Sequence, residues 1–173
     1  MSRVAVVLRA SPEVITSGDL FESGCSTLVN AVNCHGTMGA GIALEFKRRF
    51  PAMFADYRRR CRRGEVRLGR PYLWRPEDGS RPSVLNFPTK DHWRDPSHLE
   101  AIVDGLAWLR SHYLELGVAS LAVPALGCGH GGLRWEDVRP VLVQALSELA
   151  IPVSIYSPNG DRRPGQGAEH GYR

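Results

Sequence analysis

The sequence predicts an α/β sandwich built on a largely parallel sheet. Short apolar runs alternate along the chain with longer segments whose apolar residues recur at helical spacing. A hydrophobic content of 43% over 173 residues is sufficient for one domain with its own core. In folds of this class, ligands bind at the loops that follow the carboxyl ends of the strands. The loops after three of the predicted strands are therefore the candidate functional segments.

Short apolar runs bounded by glycine, proline or polar residues are predicted to be strands. The spacing of apolar residues in these runs does not distinguish a buried strand from a buried helix, but the shortness of the runs favours strands. A turn at residues 76–79 (Pro-Glu-Asp-Gly) separates two of them. The predicted strands are residues 4–8, 13–16, 27–29, 72–74, 84–87, 121–124 and 153–156.

Segments with apolar residues at helical spacing are predicted to be helices. In the first, Ile42, Phe46 and Phe50 would share one face. Pro51 suits the first turn of the second, which Gly64 would end. Ser97 is predicted to cap the third. The predicted helices are residues 42–50, 51–63, 98–116 and 135–149.

The chain is moderately basic, with a net charge of +4 and a pI near 9.1. Most of the positive charge lies between residues 47 and 70. Such a block is typical either of a nucleic-acid-binding surface or of the solvated faces of helices, and the sequence leaves both interpretations open.

Composition excludes several other classes of protein. No apolar run approaches the roughly 20 residues of a membrane span, and the N-terminal residues lack the apolar stretch of a signal peptide. We therefore expect a cytoplasmic protein. The four cysteines show neither C-x-x-C spacing nor a paired histidine pattern, which predicts free thiols and no metal site. We expect one domain over residues 1–158 and a disordered polar tail over residues 159–173.

The first candidate loop follows the run at residues 27–29. Asn30 and Asn33 flank small apolar residues, and Gly36, Gly39 and Gly41 come next, before the first predicted helix. A strand, a glycine-rich turn and a helix aim backbone N–H groups at an anion. The spacing does not match the dinucleotide or nucleoside-triphosphate fingerprints. We interpret the segment as a phosphate-binding loop of another kind; a plain tight connection is the alternative.

The second glycine-rich loop, residues 124–133, follows the run at residues 121–124. Its four glycines are costly to order, which favours a backbone nest for phosphate over a purely structural role. His130 could act as a base, although a loop histidine without an identified partner is more often a packing or surface residue. Cys128 could be a nucleophile, but no feature supplies its base, so we interpret it as a small buried apolar residue.

Between these loops lies the segment that follows the run at residues 84–87. Lys90 would stand at the mouth of the site, either as a positive partner for phosphate or as a nucleophile toward a carbonyl or acetal-like carbon. A surface lysine paired with Asp91 is the alternative. Trp93 and Arg94 could stack on and pair with a nucleotide.

Three motifs, VNAVNCHGTMGAGIALEFKRRFP, NFPTKDHWR and PALGCGHGGLRWEDVRP, make the chain resemble a macrodomain, the ADP-ribose-binding fold. The similarity is greatest to the branch of ADP-ribosyl glycohydrolases that contains DNA-directed antitoxins and a human enzyme acting on terminal ADP-ribose. The resemblance implies a three-layer α/β/α sandwich around a mixed sheet of about six strands. It also implies an ADP-ribose cleft across the top of that sheet.

The resemblance further implies a role for individual residues. Lys90 would be catalytic, with Asn33 orienting the ribose; Asn30 would also lie at the distal ribose, and Asp19 would lie near the adenine. One departure matters, because Gly131 stands where the human enzyme has an aspartate, so a mechanism through that carboxylate is not expected. The residues expected to line the two phosphate loops are Met38, Gly39, Gly41, Ile42 and Ala43 in the first, and Leu126, Gly127, Cys128, Gly129, His130, Gly131, Gly132 and Leu133 in the second.

The activity implied is removal of mono-ADP-ribose from a modified target, without a metal or other cofactor. The segment at residues 86–94 and the arginine block favour thymidine-linked ADP-ribose on DNA, with His92, Trp93 and Arg94 contacting the DNA, which could be single-stranded. Ester-linked ADP-ribose on protein glutamate or aspartate is the second substrate class. A macrodomain that only binds ADP-ribose is the alternative function, and a nucleic-acid-binding module is a third. We expect a monomer.

Overall fold

The computed structural model describes residues 11–158 and contains one six-stranded sheet with helices on both faces. The strand order is β1-β6-β5-β2-β4-β3. All neighbouring strands run parallel except β3 and β4, which are antiparallel. The strands are β1 (Glu13–Ile15), β2 (Thr27–Asn33), β3 (Tyr72–Trp74), β4 (Ser83–Lys90), β5 (Leu121–Val123) and β6 (Val153–Tyr156). The helices are α1 (Gly41–Arg49), α2 (Pro51–Arg62), α3 (Leu99–His112) and α4 (Trp135–Leu146).

The sheet separates two apolar cores, as successive side chains of a strand point to opposite faces. On β2, Leu28 and Val32 enter the core beneath α1 and α2, whereas Val29 enters the core beneath α3 and α4. On β4, Val84 and Leu85 divide in the same way. The predicted three-layer α/β/α sandwich with a mixed sheet is thus confirmed.

The central strands are longer than the sequence predicts. β2 extends beyond Val29 to Asn33, and β4 extends beyond Phe87 to Lys90, because each pairs with the other along its full length. Pro88 lies inside β4 even though proline cannot donate to a ladder. The predicted starts of the loops after residues 29 and 87 are therefore wrong, and Asn30, Asn33 and Lys90, which were assigned to these loops, are strand residues.

The helix ends also differ from prediction. Ser97 does not cap α3; the N-cap is His98, without a side-chain hydrogen bond, and the Ser97 hydroxyl lies 3.0 Å from Thr89 Oγ1. The helix ends at His112 and not near Leu116, and α4 ends at Leu146 and not at Leu149. Gly64, with a φ of +67°, ends α2 as predicted. The strand predicted at residues 4–8 and the tail at 159–173 lie outside the described residues.

Within residues 11–158, no helix is long and apolar enough to cross a lipid bilayer. The same part of the chain contains no group of three or more histidine, cysteine or acidic side chains arranged to hold a metal ion. All four cysteines are free thiols of intermediate exposure.

Candidate functional site

The site is built on the ends of β2 and β4. The paired strands bring Asn33 opposite Lys90, across a bulge that interrupts the register after Val32. The Cys34 N–H then donates hydrogen bonds to Asp91 O at 2.9 Å and to Lys90 O at 3.2 Å, which holds the two strand exits together. The two residues predicted to be catalytic are thus neighbours, although 57 positions separate them in the sequence.

The Asn33 carboxamide organises the loop that follows β2. Its Oδ1 accepts hydrogen bonds from the backbone N–H groups of His35 at 2.9 Å and Gly36 at 3.1 Å, and its Nδ2 donates to Thr37 O at 2.7 Å. An amide nitrogen carries two hydrogens. Among the described residues the second hydrogen has no acceptor, so Asn33 can offer it to a ligand while it holds the loop.

Tyr57 on α2 supports Asn33 from below. Its hydroxyl lies 2.7 Å from Asn33 O and 3.0 Å from Asn33 Oδ1, and the tyrosine is completely buried. Burial, reinforced by Cys61, raises the Tyr57 pKa far above its ordinary value, so the hydroxyl keeps its proton and acts as a donor. Sequence reasoning could not identify this role, because Tyr57 occupies an ordinary inward position of a predicted helix.

Three residues expected to line the cleft lie beneath it. Asn30 is completely buried, and its Nδ2 donates a hydrogen bond to Asn86 Oδ1 at 3.0 Å. Met38 and Leu126 are also core residues, with 1% and 0% exposure. All three are buried in this structure, and their expected contact with ADP-ribose stays a prediction. They support the loops above them.

The first glycine loop leads into the N-terminus of α1. Its N-cap, Ala40, offers no side-chain acceptor, so the backbone N–H groups of the first helical turn, at Ile42 and Ala43, are free of a side-chain cap. Gly39 and Gly41 are exposed. Gly41 has a φ of +57°, and a Cβ there would lie 3.3 Å from His130 Cδ2 of the second glycine loop. The two loops therefore lie next to each other at Gly41 and His130.

The second glycine loop, residues 124–133, is packed tightly at two of its glycines. A Cβ on Gly127 would lie 2.7 Å from Leu133 Cδ1 and 2.9 Å from Ser97 Cβ. A Cβ on Gly131 would come into hard contact with Ser97 Oγ and lie 2.5 Å from Gly127 O. The loop holds this shape through the Leu133 N–H, which donates to Gly127 O, and the Ser97 N–H, which donates to Gly131 O, both at 2.9 Å.

The remaining members of this loop differ in exposure. Gly129, His130 and Gly132 are exposed, whereas Cys128 and Leu133 are half-buried. Burial, with a smaller contribution from the Glu136 charge, raises the pKa of the Cys128 thiol to about 11. A thiol that stays protonated at neutral pH is a poor nucleophile, in agreement with the interpretation of Cys128 as an apolar residue.

Lys90 projects from the end of β4 with partial exposure. Its Nζ donates a hydrogen bond to Trp93 O at 3.2 Å, and no ion pair within residues 11–158 joins it to Asp91. The chain has only two lysines among its 22 basic residues, and the other is Lys47. The catalytic role expected of Lys90 stays a prediction.

The predicted DNA-contacting residues lie beside Lys90. His92, Trp93 and Arg94 follow it after Asp91 and form one surface group with His35, which sequence reasoning missed. The only signal for His35 was its position two residues after Asn33.

Asp19 lies at the start of a short 3-10 turn, Leu20–Glu22. Its Oδ1 accepts a hydrogen bond from Phe21 N–H at 2.9 Å, and its Oδ2 lies 3.9 Å from Arg49 Nη2. The Arg49 guanidinium sits 4.2 Å above the Phe21 ring. Nothing in these contacts tests the expected position of the adenine, which stays a prediction.

The arginine block is partly neutralised within the fold. Asp56 pairs with Arg59 and Arg60, and Glu45 pairs with Arg48 and Arg49. All of these arginines are on the surface, so each pair contributes little to stability. The block therefore presents less free positive charge than the sequence suggests.

Comparisons with known proteins agree with this geometry. Residues 29–142 match the family described as Macro domain. A DNA ADP-ribosyl glycohydrolase of Mycobacterium tuberculosis is 48% identical over 155 residues, which cover 88% of this chain. The chain spans 44% of that relative's length, so it is similar to one part of a longer protein.

Two solved structures are similar over most of the chain. The macrodomain of Mycobacterium tuberculosis DarG has a TM-score of 0.79 at 47% identity, and the match covers 85% of this chain and 99% of that one. Thermosipho africanus DarTG in complex with ADP-ribose also has a TM-score of 0.79, at 41% identity, and covers 85% of this chain and 42% of that one.

Proposed function

Since the chain belongs to the macrodomain family, we propose that it is an ADP-ribosyl glycohydrolase that removes mono-ADP-ribose from modified DNA. The observation that carries the proposal is the placement of Asn33 and Lys90 side by side at the ends of two paired strands. A cleft that only bound ADP-ribose would gain little from a lone amine at that position. The relatives named above support the same activity, because one is a DNA ADP-ribosyl glycohydrolase and another was solved with ADP-ribose.

Binding is assigned to the two glycine loops. Backbone N–H groups at the start of α1 and in the loop at residues 124–133 would hold the diphosphate, since both segments expose glycines and neither carries a lysine or arginine. Neutral donors bind a diphosphate without a strong ion pair, which permits product release. This remote binding holds the distal ribose beside Lys90 and Asn33.

The chemical step is hydrolysis of the bond between the ribose anomeric carbon and the leaving atom of the target. The electron pair of that bond goes to the leaving atom, which takes up a proton, while a water oxygen bonds to the carbon and releases a proton. Positive charge develops on the sugar as the bond breaks. A lysine ammonium has three hydrogens, and Lys90 uses one on Trp93 O, which leaves two for the leaving group.

A covalent route uses the same residue. In it, the neutral Lys90 amine attacks the anomeric carbon and displaces the leaving atom, which takes up the proton that the amine loses. The sugar ring then opens to a Schiff base with Lys90, and water cleaves this to free ADP-ribose and the amine. The two routes differ in one respect that can be measured, because only the Schiff base is trapped by borohydride. With Lys47 as the only other lysine, a trapped adduct can be assigned by peptide mapping.

Thymidine-linked ADP-ribose on single-stranded DNA is the proposed substrate, and an ester on glutamate or aspartate is a second substrate of the same site. The ester is chemically easier to cleave because a carboxylate is a better leaving group than a base nitrogen. The DNA assignment rests on the aromatic and basic residues that follow Lys90 and on the DNA-directed relatives.

The test compares wild type, Lys90→Ala and Lys47→Ala on two substrates: an oligonucleotide ADP-ribosylated on thymidine and a protein ADP-ribosylated on glutamate. Lys47 is the matched control, since it sits on α1 with its ammonium over the Phe54 ring and away from the cleft. We expect Lys90→Ala to lower release by at least about 10²-fold, the usual contribution of a positioned acid or base. Lys47→Ala should release ADP-ribose as wild type does.

Calorimetry with free ADP-ribose separates chemistry from binding. Retained affinity in Lys90→Ala, together with lost release, supports a hydrolase with Lys90 in the chemical step. If wild type binds ADP-ribose but releases nothing from either substrate, the hydrolase proposal fails and the protein is an ADP-ribose-binding module. Affinity that is indifferent to ADP-ribose and falls steeply with salt would instead indicate a nucleic-acid-binding module.

A further inference from the structure

A group of four side chains lies beside Lys90, with His35, Trp93 and Arg94 exposed and His92 half-buried; we call it the ring surface. The His35 and His92 rings are 4.6 Å apart at an interplanar angle of 61°, and the His92 and Trp93 rings are 5.4 Å apart. The Arg94 guanidinium sits 4.6 Å from the Trp93 ring centroid. The side chains come from two chain segments, so the surface exists only in the folded protein.

The ring surface is held rigidly, although it lies outside both cores. The His92 N–H donates to Asp95 Oδ2 at 3.2 Å, and the Asp95 N–H donates back to His92 O at 3.0 Å. The Arg94 N–H donates to His92 Nδ1 at 3.2 Å, which fixes that ring. On the other segment, the His35 N–H is held by Asn33 Oδ1. A turn bonded in this way presents its rings without having to order them when a ligand binds.

Packing does not account for Trp93, because the residue is 44% exposed and belongs to neither apolar core. The Trp93 ring lies within a group of other rings and a guanidinium, and exposed aromatic groups of this kind are typical of surfaces that a partner covers. Its neighbours indicate what that partner is, since a planar guanidinium and aromatic rings are the surfaces on which unstacked bases pack.

The ring surface begins where the leaving group of the proposed reaction must emerge. Lys90 Nζ is 3.2 Å from Trp93 O, so the amine and the indole belong to one turn. On the opposite strand, Asn33 and His35 are held by the same hydrogen bond. A sugar placed between Asn33 and Lys90 would therefore lie next to these rings.

We propose that the ring surface is the subsite for the nucleobase that carries ADP-ribose and for its neighbour in single-stranded DNA. The modified base stacks on the Trp93 ring with His35 and His92 beside it, and Arg94 contacts the adjoining base or phosphate. The inference rests on the proposed hydrolase function and adds to it a subsite that selects a nucleobase over a carboxylate as the leaving group. A glutamate or aspartate ester has no ring to place there.

The test measures kcat/KM for Trp93→Ala, Trp93→Phe and Trp108→Ala on the oligonucleotide and protein substrates named above. Trp108→Ala is the matched control, because it removes another tryptophan–histidine pair, Trp108 and His112 on α3, whose rings are 4.3 Å apart. We expect Trp93→Ala to lower kcat/KM on the oligonucleotide roughly tenfold or more, the usual effect of removing one stacking partner. The loss on the protein ester should be smaller, so the ratio between the substrates changes.

Trp93→Phe should recover most of the loss, since a phenyl ring still stacks, and Trp108→Ala should leave the ratio at its wild-type value. An unchanged ratio in Trp93→Ala, or a ratio changed equally by Trp108→Ala, overturns the subsite while the hydrolase stands. Affinity for free ADP-ribose in each variant reports whether the cleft is intact. Failure of wild type to release anything from the oligonucleotide overturns the proposed DNA activity itself, so the two failures are distinguishable.

Discussion

Replacing Gly131 with alanine tests whether the second glycine loop depends on its packing against Ser97. The added Cβ would come into hard contact with Ser97 Oγ and lie 2.5 Å from Gly127 O. Because one of these atoms is backbone, the loop itself must move. Overpacking costs about 1–3 kcal/mol, and losing the hydrogen bond from Ser97 N–H to Gly131 O adds about 1 kcal/mol. We expect Gly131→Ala to lower the free energy of unfolding by about 2–4 kcal/mol.

Gly129→Ala is the matched control, two residues away in the same loop. A Cβ at Gly129 meets no atom within 4 Å, and neither glycine has a left-handed φ. Both substitutions thus reduce the freedom of the unfolded chain equally, and they differ only in what the methyl group meets. We expect Gly129→Ala to be neutral or to stabilise by up to about 1 kcal/mol.

The assay is equilibrium urea unfolding followed by tryptophan fluorescence, with the midpoint and slope compared among wild type and both variants. Equal midpoints for the two variants would refute the packing argument. The result also bears on mechanism, because Gly131 is where the resemblance places an aspartate of the human enzyme. Gly131→Asp carries the same Cβ and should destabilise at least as much as alanine. Wild-type stability for Gly131→Asp would show that this backbone can present a carboxylate there.

Two further predictions follow from buried groups. Tyr57→Phe removes the hydroxyl that donates to Asn33, so it should lower the free energy of unfolding by about 1–3 kcal/mol in thermal unfolding and weaken ADP-ribose binding in calorimetry. The control, Tyr113→Phe, removes a hydroxyl bonded to Ala150 N–H and should lower stability alone. Unchanged ADP-ribose affinity in both variants would contradict the role of Tyr57. Burial raises the pKa of Cys34 from 9.0 to about 12 and that of Cys61 to about 11. Because the thiols ionise first in the unfolded chain, their contribution to folding stability is complete below about pH 9 and is lost as the pH rises toward 11–12. A urea unfolding midpoint that stays constant above pH 9 would contradict this.

The sequence by itself determined the layers of the fold and the position of both glycine loops. Apolar periodicity reflects neighbours two, three or four residues apart, which decide whether a segment is a strand or a helix. The glycines at Gly39 and Gly41 and within residues 127–132 can likewise be read from the sequence, because glycine lets the backbone approach other atoms closely. The motifs around them were specific enough to indicate the family, and comparison with known proteins confirmed it.

The tertiary structure decided which polar residues reach the cleft. Asn30 and Asn33 look equivalent in sequence, yet Asn30 is sealed against Asn86 beneath the surface and Asn33 holds the loop at the cleft. Ser97 fits the pattern of a helix cap, but its hydroxyl lies against Thr89 and its N–H is bonded to Gly131 O. These outcomes depend on which strands pair and how far, a property of contacts between distant parts of the chain.

The same reason explains why Asn33 and Lys90 could be named from sequence but not placed together. Each ends a strand whose length is set by its partner, and only the full pairing of β2 with β4 puts the amide and the amine on one edge of the sheet. His35 lies in the ring surface for the same reason, because the neighbouring Cys34 N–H donates hydrogen bonds to backbone carbonyls at the end of β4. The local sequence pattern was enough to identify these residues, but the register between the strands decides that they lie together.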